Sequence, residues 1–532
     1  MRMYENRLAR RPAEPRIIEG VAFNSQLSSC GQVAGIRELS ACSMRGKVRS
    51  AGVPARNSVS GNRLSGHDGN AKPLLVGTPR RGVRGGLGET ALPGAHLARA
   101  RTFALRVRTP ALPTRLLTLG MNQVVTYGLC LVLAAAQAFC GETIGPWDRA
   151  TLYQTPSVFD AAEFATNDVR TVFYEGKPYQ GRPTRVFAYY GLPAGASPAR
   201  KVPGIVLIHG GGGSAFVRWV KLWNSRGYAA ISMDTCGAVS GNAYGEEQKG
   251  HRRHAWAGPP GWGGFDKYDD PVADQWTYHA VAAAVRGHSL LRSLPEVDTS
   301  RIGVTGISWG GYLTCIAAAV DDRFAFAVPV YGCGFLGENS AWLDRFQGMT
   351  KVNAEKWLGL WDPSVYLPHA KMPFLWVTGS NDFAYPMDSL QKSYCALKVP
   401  HTLCVRLRMP HGHGAAGENP AEILAFADSV TRGGQPLPAF TRAAREGRTV
   451  RAAFVANGRT VARAELNSTT HTGRWQERVW QADPVAVKRS ESGDGTLEAE
   501  LPEGSTVWYF NLFTDDGLCV SSRHEELGQA GN

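Results

Sequence analysis

A short glycine-rich segment, Gly-Ile-Ser-Trp-Gly-Gly at positions 306–311, constrains the fold of this chain more than any other feature. The apolar run Arg301–Thr305 before it predicts a strand, and the apolar stretch Gly311–Val320 after it predicts a helix. Glycine at 306 and 310 allows a turn so sharp that side chains there would collide with neighbouring backbone. A serine presented between a strand and a helix in this way is typical of a nucleophile elbow, with Ser308 as the nucleophile. The competing interpretation is a turn whose serine only caps the helix.

Strands and helices alternate along the chain on both sides of this segment. The predicted strands are Val172–Tyr174, Thr184–Tyr190, Gly204–Ile208, Tyr228–Met233, Arg301–Thr305, Phe324–Val330, Phe374–Thr378 and Thr402–Met409. The predicted helices are Phe216–Ser225, Asp274–Leu294, Gly311–Val320, Met387–Leu397 and Ala421–Thr431. This alternation predicts an α/β fold with a mainly parallel sheet and helices on both faces. Functional residues should therefore follow the carboxyl ends of the strands.

A second glycine-rich loop, His209–Ser214, directly follows a predicted strand. In such a position a backbone N–H can stabilise the oxyanion of a tetrahedral intermediate. We expect the N–H groups of Gly211 and Trp309 to form this oxyanion hole. The alternative is a phosphate-binding loop, but neither a following Gly-Lys-Ser/Thr nor the dinucleotide-binding glycine spacing is present.

An aspartate and two histidines follow the later strands. Asp382 lies in the loop after Phe374–Thr378, where the competing interpretation is an Asx turn. His413 and His411 both follow Thr402–Met409. We expect His413 to be the base because it lies further from the strand and has glycine on both sides, with His411 as the competing candidate. The order Ser308, Asp382, His413 is that of a Ser-His-Asp hydrolase of this architecture.

These motifs carry a family resemblance that covers about residues 200–432. The stretches Leu291–Asp298 and Arg301–Gly311, with Gly379–Asp382 and His413-Gly414, resemble the acetyl xylan esterase and prolyl oligopeptidase-type branch of the α/β-hydrolases. The resemblance implies an α/β-hydrolase fold and a serine hydrolase that needs no cofactor. Two departures matter: Trp309 stands where the acetyl esterases usually have Gln, and too few residues precede the core for a gating propeller domain.

We therefore expect a serine esterase that acts on a small-molecule or carbohydrate acyl ester, such as acetylated xylan. The alternatives are a peptidase of the prolyl oligopeptidase type and a non-catalytic α/β-hydrolase that serves as a binding module. The cysteines show no Cys-x-x-Cys or Cys/His ligand spacing, so no metal site is expected.

The basic charge of the chain is confined to its first part. Residues 1–120 contain 20 Lys and Arg against 6 Asp and Glu, while the remaining residues contain 38 against 39. A neutral globular part gives no reason to expect a nucleic-acid partner. Residues 1–120 lack helical or strand periodicity and are interpreted as a disordered or spurious extension.

A signal-like segment follows this extension. Met121 precedes the apolar run 129–136, which is too short to span a bilayer, and Ala136-Gln137-Ala138 provides a small-x-small cleavage pattern. With Met121 as the true start, residues 121–138 predict an exported protein that keeps no membrane segment after cleavage. The alternative is an ordinary buried helix at 127–139.

Two further regions complete the predicted organisation. The insertion 235–273, inside a catalytic domain at 150–436, is rich in Gly, Pro and aromatic residues, and we expect Trp256 and Trp262 to contact the substrate. The alternative is a packed lid that makes no contact with the ligand. Residues 437–532 contain short strand-like runs, which predict a small β-sandwich that packs against the core. Those runs are Thr449–Ala456, Thr460–Leu466, Arg474–Gln481, Thr496–Leu501 and Val507–Phe513.

Overall fold

The structure is a computed structural model that describes residues 144–166, 169–239 and 252–527. The predicted extension at 1–120 and the signal-like segment at 121–138 lie outside these residues, so export stays a prediction. Among the described residues, no helix combines the length and the apolar character needed to cross a bilayer.

The secondary structure follows the predicted alternation. The helices are α1 Arg149–Tyr153, α2 Val217–Ser225, α3 Trp276–Arg292, α4 Trp309–Val320, α5 Leu343–Gln347, α6 Lys351–Trp361, α7 Pro363–Tyr366, α8 Met387–Ala396, α9 Ala415–Glu418 and α10 Ala421–Thr431, with short 3₁₀ turns at Ala162–Phe164, Val272–Asp274, Leu367–His369 and Trp475–Glu477. The strands are β1 Val158–Asp160, β2 Arg170–Glu175, β3 Arg185–Gly191, β4 Val202–Ile208, β5 Ala229–Met233, β6 Val297–Ile307, β7 Ala327–Val330, β8 Phe374–Gly379, β9 His401–Arg406, β10 Ala439–Glu446, β11 Thr449–Val455, β12 Val461–Thr469, β13 Gln481–Val485, β14 Lys488–Arg489, β15 Gly495–Glu500, β16 Val507–Thr514, β17 Cys519–Ser521 and β18 Glu525–Glu526.

The centre of the molecule is a parallel sheet in the order β5-β4-β6-β7-β8-β9. Strands β1, β2 and β3 extend it in antiparallel fashion beside β5. Strand β8 is buried along its whole length, as expected for a strand covered on both faces. Helix α4, which begins just after Ser308, is also buried at all of its positions. This architecture confirms the predicted α/β-hydrolase fold.

The C-terminal region forms two layers. Strands β10, β11, β15 and β14 make a separate antiparallel sheet, whereas β12, β13, β16 and β17 continue the large central sheet beyond β9. Apolar side chains fill the space between the layers, among them Phe454 and Leu497 from one side and Leu466 and Phe510 from the other. The predicted β-rich region is therefore present, but one of its layers belongs to the same sheet as the hydrolase core.

Polar side chains complete the junction between β9 and β17, where Ser521 pairs with Leu403. The N–H of Val405 donates to Ser521 Oγ at 2.8 Å, and Asn511 Nδ2 donates to the carbonyl oxygen of Val405 at 3.1 Å. These side chains supply the hydrogen bonds that a longer ladder would make, so the buried backbone of β9 is not left unpaired.

The predicted strand at Arg474–Gln481 is wrong. The structure has a 3₁₀ turn at Trp475–Glu477 in its place, and strand β13 begins only at Gln481. The backbone carbonyls of the turn accept hydrogen bonds from Asn381 instead of from a neighbouring strand. A contact so distant in sequence overrides the local strand preference of the segment.

Candidate active site

Ser308 lies in the strained turn that the sequence predicts. Its backbone has φ 58° and ψ −118°, a conformation that non-glycine residues rarely adopt. A side chain at position 306 would overlap the carbonyl oxygen of Gly310, and one at 310 would overlap the carbonyl oxygen of Ile208. The N–H of Ser308 donates to the carbonyl of Val330 at 2.9 Å. Both glycines are thus required for β6 and α4 to approach closely enough to hold the serine at the end of the sheet.

Hydrogen bonds at the backbone N–H and the carbonyl oxygen of Gly210 hold the loop after β4 in place. Its N–H donates to Nε2 of His413 at 3.0 Å. Its carbonyl oxygen accepts from the N–H of Gly213 at 3.1 Å and lies 2.8 Å from Nδ1 of the buried His209. Because the Gly210 N–H is already donated, the next N–H along the chain, that of Gly211, is the loop group left for an oxyanion. The N–H of Trp309, in the first turn of α4, is the second candidate donor.

Asp382 and His411 form a hydrogen-bonded pair. Oδ2 of Asp382 lies 2.6 Å from Nδ1 of His411. The other oxygen, Oδ1, accepts from the N–H groups of Ala384 and Tyr385 at 2.9 and 2.8 Å. The carboxylate is buried, with 2% of the residue exposed, so these bonds fix its orientation. An aspartate held in this way sets the tautomer of the imidazole, with the proton on Nδ1 and a lone pair on Nε2.

The ring of His411 lies between two aromatic side chains. Tyr331 stacks on it with ring centroids 4.6 Å apart, and Phe383 packs against it at 4.6 Å with its own ring largely exposed. The hydroxyl of Tyr331 donates to the carbonyl of Pro410 at 2.8 Å, which ties this ring to the histidine loop. Burial, and then the nearby Asp382 charge, raise the pKa of Tyr331, so its hydroxyl stays protonated as this bond requires.

The predicted pairing of Asp382 with His413 is not what the structure shows. Nδ1 of His413 lies 3.2 Å from Oε1 of Glu418, and Nε2 accepts the Gly210 N–H. Since Nε2 acts as an acceptor, the ring proton must lie on Nδ1, where it faces the carboxylate of Glu418. Both nitrogens of His413 are therefore occupied. Nε2 of His411, in contrast, makes no hydrogen bond within the described part of the chain.

Glu418 provides the negative charge beside His413. Burial by itself would raise the pKa of this carboxyl, but hydrogen bonds from His413 and Arg218 and the charge of Arg218 lower it. Arg218 reaches both carboxylate oxygens, with Nη2 2.8 Å from Oε1 and Nε 3.2 Å from Oε2. Glu418 is thus ionised at neutral pH, so both of its oxygens are acceptors, and Oε1 can accept the hydrogen bond from Nδ1 of His413.

A cavity of about 580 Å³ opens beside Ser308. It brings together the serine, both histidines and the glycine loop, and it is lined by Gly210, Gly211, Gly212, Gly213, Phe216, Ile307, Ser308, Trp309, Trp342, Phe383, Ala384, His411, Gly412 and His413. Its walls are mostly aromatic and glycine residues, with polar groups concentrated near Ser308. This is the usual composition of a pocket for a small organic ligand.

Trp256 and Trp262 are not among the residues that line this cavity, so the structure does not support their expected contact with substrate. The ring of Trp256 lies under the guanidinium of Arg185 at 4.3 Å, and Trp262 packs against the hydrophobic core. Phe265 of the insertion approaches the site, because its ring packs behind that of Trp309 at 6.0 Å. The insertion therefore supports the pocket wall from behind, and residues 240–251 lie outside the described part.

The C-terminal region contacts the loop that carries Asp382. The side-chain amide of Asn381 donates to the carbonyls of Trp475, Gln476 and Arg478 at 3.3, 3.2 and 2.8 Å. Oδ1 of Asn381 in turn lies 2.7 Å from the hydroxyl of Ser380. The residue next to the candidate acid is thus held by the 3₁₀ turn at Trp475–Glu477.

Sequence reasoning did not assign three of these neighbours. Tyr331, Glu418 and Asn381 reach the site through tertiary contacts, and none belongs to a motif with a fixed spacing. The one available signal was the double histidine Pro-His-Gly-His-Gly at 410–414, which showed that two imidazoles compete for one role.

Two family models match the part of the chain that contains the candidate site. The family model of acetyl xylan esterases matches residues 149–341, and that of the prolyl oligopeptidase family matches residues 256–431. The first match contains the glycine loop and Ser308. The second contains Ser308, Asp382 and both histidines.

Individual relatives are distant. An uncharacterised peptidase, YuxL of Bacillus subtilis (strain 168), is 26% identical over 227 residues, which cover 39% of this chain and 30% of that protein. The acetyl xylan esterase from Paenibacillus sp. R4 has a TM-score of 0.42 at 21% identity and is matched over 53% of this chain and 92% of its own. The Pyrococcus horikoshii acylaminoacyl peptidase has a TM-score of 0.37 at 21% identity, over 50% and 43% of the two chains. This chain therefore spans less than a third of the curated relative's length.

The two family models overlap at residues 256–341, which include the turn around Ser308. With the parallel sheet and this turn, they show an α/β-hydrolase fold and support a serine hydrolase similar to the branch that contains the acetyl xylan esterases and the prolyl oligopeptidase family.

Proposed function

We propose that this protein is a serine esterase that removes acetyl groups from carbohydrate, with Ser308 as nucleophile, His411 as general base and Asp382 as the acid that orients it. One observation carries the proposal: a serine in a strained turn shares a cavity with a histidine that Asp382 holds by Nδ1, with Nε2 left without a partner in the described chain. This arrangement leaves a proton acceptor available beside a nucleophile.

In the proposed reaction, Nε2 of His411 takes the proton of Ser308 as Oγ attacks the ester carbonyl. The carbonyl oxygen becomes an oxyanion, which accepts hydrogen bonds from the N–H groups of Gly211 and Trp309. The protonated His411 then gives its proton to the leaving alcohol, and an acetyl-serine remains. Water repeats the sequence with His411 as base, so that acetate leaves and Ser308 regains its proton.

An ester substrate is supported by the acetyl xylan esterase model, which matches the part of the chain that contains the glycine loop, Ser308 and Trp309. The cavity also has the aromatic walls, from Phe216, Trp342 and Phe383, on which an apolar sugar face can stack. A volume of about 580 Å³ is sufficient for an acetyl group and a sugar ring.

A peptidase is the second candidate function. The prolyl oligopeptidase model matches the part that contains the loops of Asp382 and His411, and Trp309 follows the serine as in the peptidase-type pattern. The same groups would then cleave an amide, with the proton of His411 delivered to the leaving amine.

The test compares release of p-nitrophenol from p-nitrophenyl acetate with release of p-nitroaniline from a chromogenic peptide by the full chain. We expect ester hydrolysis without peptide cleavage, and release of acetate from acetylated xylan but not from xylan deacetylated beforehand. The Ser308→Ala variant is the control for a contaminating hydrolase. Peptide cleavage that disappears in this variant would establish the peptidase instead.

Labelling with a fluorophosphonate separates both enzymes from a non-catalytic binding module, because only an activated serine reacts rapidly. We expect wild-type protein to be labelled and Ser308→Ala to remain unlabelled. Absence of labelling in folded wild-type protein would contradict both catalytic proposals.

A further inference from the structure

We infer that His413 is a positioning residue that holds the oxyanion loop in its active conformation through the N–H of Gly210. The inference rests on the proposed function, since it assigns a role within the same site. It concerns a histidine that lies two positions from the proposed base and performs a different task.

The first step of the argument is the close packing around Gly210. A side chain at this position would lie 2.8 Å from the carbonyl oxygen of Ile307, 3.1 Å from Cβ of Ser308 and 3.3 Å from Nε2 of His413. Gly210 is thus in contact with both the nucleophile's turn and the histidine. A rotation of the peptide unit before or after Gly210 would change the direction of the Gly211 N–H relative to Ser308.

The second step concerns the hydrogen bonds that make Nε2 of His413 an acceptor. Arg218 holds the buried carboxylate of Glu418, and that carboxylate accepts the Nδ1 proton of His413. Nε2 is then obliged to present a lone pair, which receives the Gly210 N–H at 3.0 Å. Arg218, Glu418 and His413 therefore act as one chain that ends on the backbone of the oxyanion loop, as outer partners orient metal-ligating histidines elsewhere.

The third step is the immobility of the ring. His413 packs against Phe216 at 4.7 Å and against Trp219 at 5.9 Å, and its side chain is only 12% exposed. Glu418 itself is fixed at the first turn of its helix, where its N–H donates to the carbonyl of Gly414 at 2.8 Å. An anchor built in this way can hold a donor within the few tenths of an ångström that transition-state stabilisation requires.

Two substitutions separate the bonds of His413. In His413→Gln the side-chain oxygen can reach the former position of Nε2 and accept the Gly210 N–H. In His413→Asn the shorter amide reaches only the position of Nδ1, so it can serve Glu418 but not Gly210. His471, which is exposed in the C-terminal region, provides the control variant His471→Asn.

We expect His413→Asn to lower kcat for p-nitrophenyl acetate by about 10- to 100-fold, with KM changed less than about threefold, because only the transition state uses the oxyanion donors. His413→Gln should retain kcat within about fivefold of wild type. The affinity of phenylboronic acid, whose tetrahedral adduct places an oxygen in the oxyanion hole, should fall in parallel with kcat. The control His471→Asn should match wild type in all three values.

The opposite order of activity, with Asn retaining more kcat than Gln, would overturn the inference, because His413 would then act only through its hydrogen bond to Glu418. Equal losses accompanied by equal losses of thermal stability would overturn it as well. If wild-type protein hydrolyses no ester, the same variants are compared by their rate of fluorophosphonate labelling, which uses the same loop. Slower labelling of the Asn variant alone would then support the role of His413 even though the proposed substrate had failed.

Discussion

A serine, a histidine and an aspartate lie together at each end of helix α4, but the two clusters differ in structure. At its N-terminal end, Ser308 shares a cavity with the pair Asp382 and His411. At its C-terminal end, Asp321 accepts from Nδ1 of His288 at 2.8 Å, and Ser289 is the next residue along α3. A histidine hydrogen-bonded to an aspartate near a serine is thus present twice.

The second cluster is closed to solvent, and its serine is not in a strained turn. His288 and Asp321 are fully buried, Phe324 stacks on the imidazole at 4.0 Å, and Nε2 of His288 contacts no polar group in the described chain. Ser289 donates its hydroxyl proton to the carbonyl of Leu152 at 2.9 Å. The difference shows that residue types alone do not make a site. The Ser308 cluster has backbone strain at the serine and an open cavity, whereas the Ser289 cluster is a packed part of the core.

The largest expected effect comes from removing each serine in turn. Ser308→Ala should lower kcat by about 10⁴-fold or more, because no other group can form the acyl-enzyme. Ser289→Ala should leave kcat unchanged and lower the free energy of unfolding by about 2 kcal/mol, because its hydroxyl donates to the carbonyl of Leu152 and accepts from Nη2 of Arg323. Ester hydrolysis and urea denaturation of both variants measure these values. If Ser289→Ala were as inactive as Ser308→Ala, the conclusion that only the Ser308 cluster is catalytic would be wrong.

The two histidines should respond in opposite ways. His411→Gln should lower kcat by about 10³-fold or more with little change in stability, since it removes the base from an open cavity. His288→Gln should destabilise the fold by about 3 kcal/mol, because it disrupts a fully buried polar cluster, while the folded enzyme keeps its kcat. For His288→Gln, active-site titration with a fluorophosphonate measures the folded fraction, and kcat is corrected by that fraction. Loss of stability in His411→Gln equal to that in His288→Gln would contradict the assignment.

The buried cluster should also make stability depend on pH. Burial by itself raises the pKa of Asp321, but His288 and Arg323 lower it well below its usual range, and burial lowers the pKa of His288. For both groups the unfolded chain binds protons that the folded chain does not, so the free energy of unfolding falls as the pH is lowered. His288 contributes to this fall from about pH 7 towards 4, and Asp321 contributes only below about pH 4, where the unfolded carboxyl becomes protonated. Urea denaturation across this range measures the slope. His288→Gln should flatten the slope between about pH 7 and 4, and an unchanged slope in this variant would refute the prediction.

The smallest effect concerns the support of the open end by the C-terminal region. Asn381→Ala removes the hydrogen bonds to the carbonyls of Trp475, Gln476 and Arg478, and we expect kcat to fall by about tenfold as the Asp382 loop loses its anchor. Arg474→Ala, at an exposed position of the same turn, is the matched control and should keep full activity. Equal activity of the two variants would show that the turn only packs against the loop.

The sequence predicted the parts of the molecule that are determined locally. The turn around Ser308 follows from glycine sterics, and the parallel sheet follows from apolar runs such as 204–208 and 374–378. Asp382 follows from its position after β8. These inferences need only neighbouring residues and the rule that ligands bind at the carboxyl ends of strands.

Contacts between distant segments decided the rest. His411 and His413 are equivalent in sequence, and only the positions of Asp382, Glu418 and Gly210 in space distinguish their tautomers and partners. The positions of Trp256 and Trp262 also depend on distant contacts, because Arg185 packs against the ring of Trp256 and the core against that of Trp262, away from the cavity lining. Aromatic composition alone does not reveal which residues of a loop face the cavity.

The continuation of the central sheet past β9 has a consequence for shortening the chain. A chain that ended at residue 436 would expose the backbone of β9, together with the buried side chains of Leu403, Cys404 and Val405, as a new sheet edge. Unprotected edges of this kind recruit strands from other molecules. Because the C-terminal region covers this edge, we expect a chain that ends at residue 436 to be less soluble than the full chain.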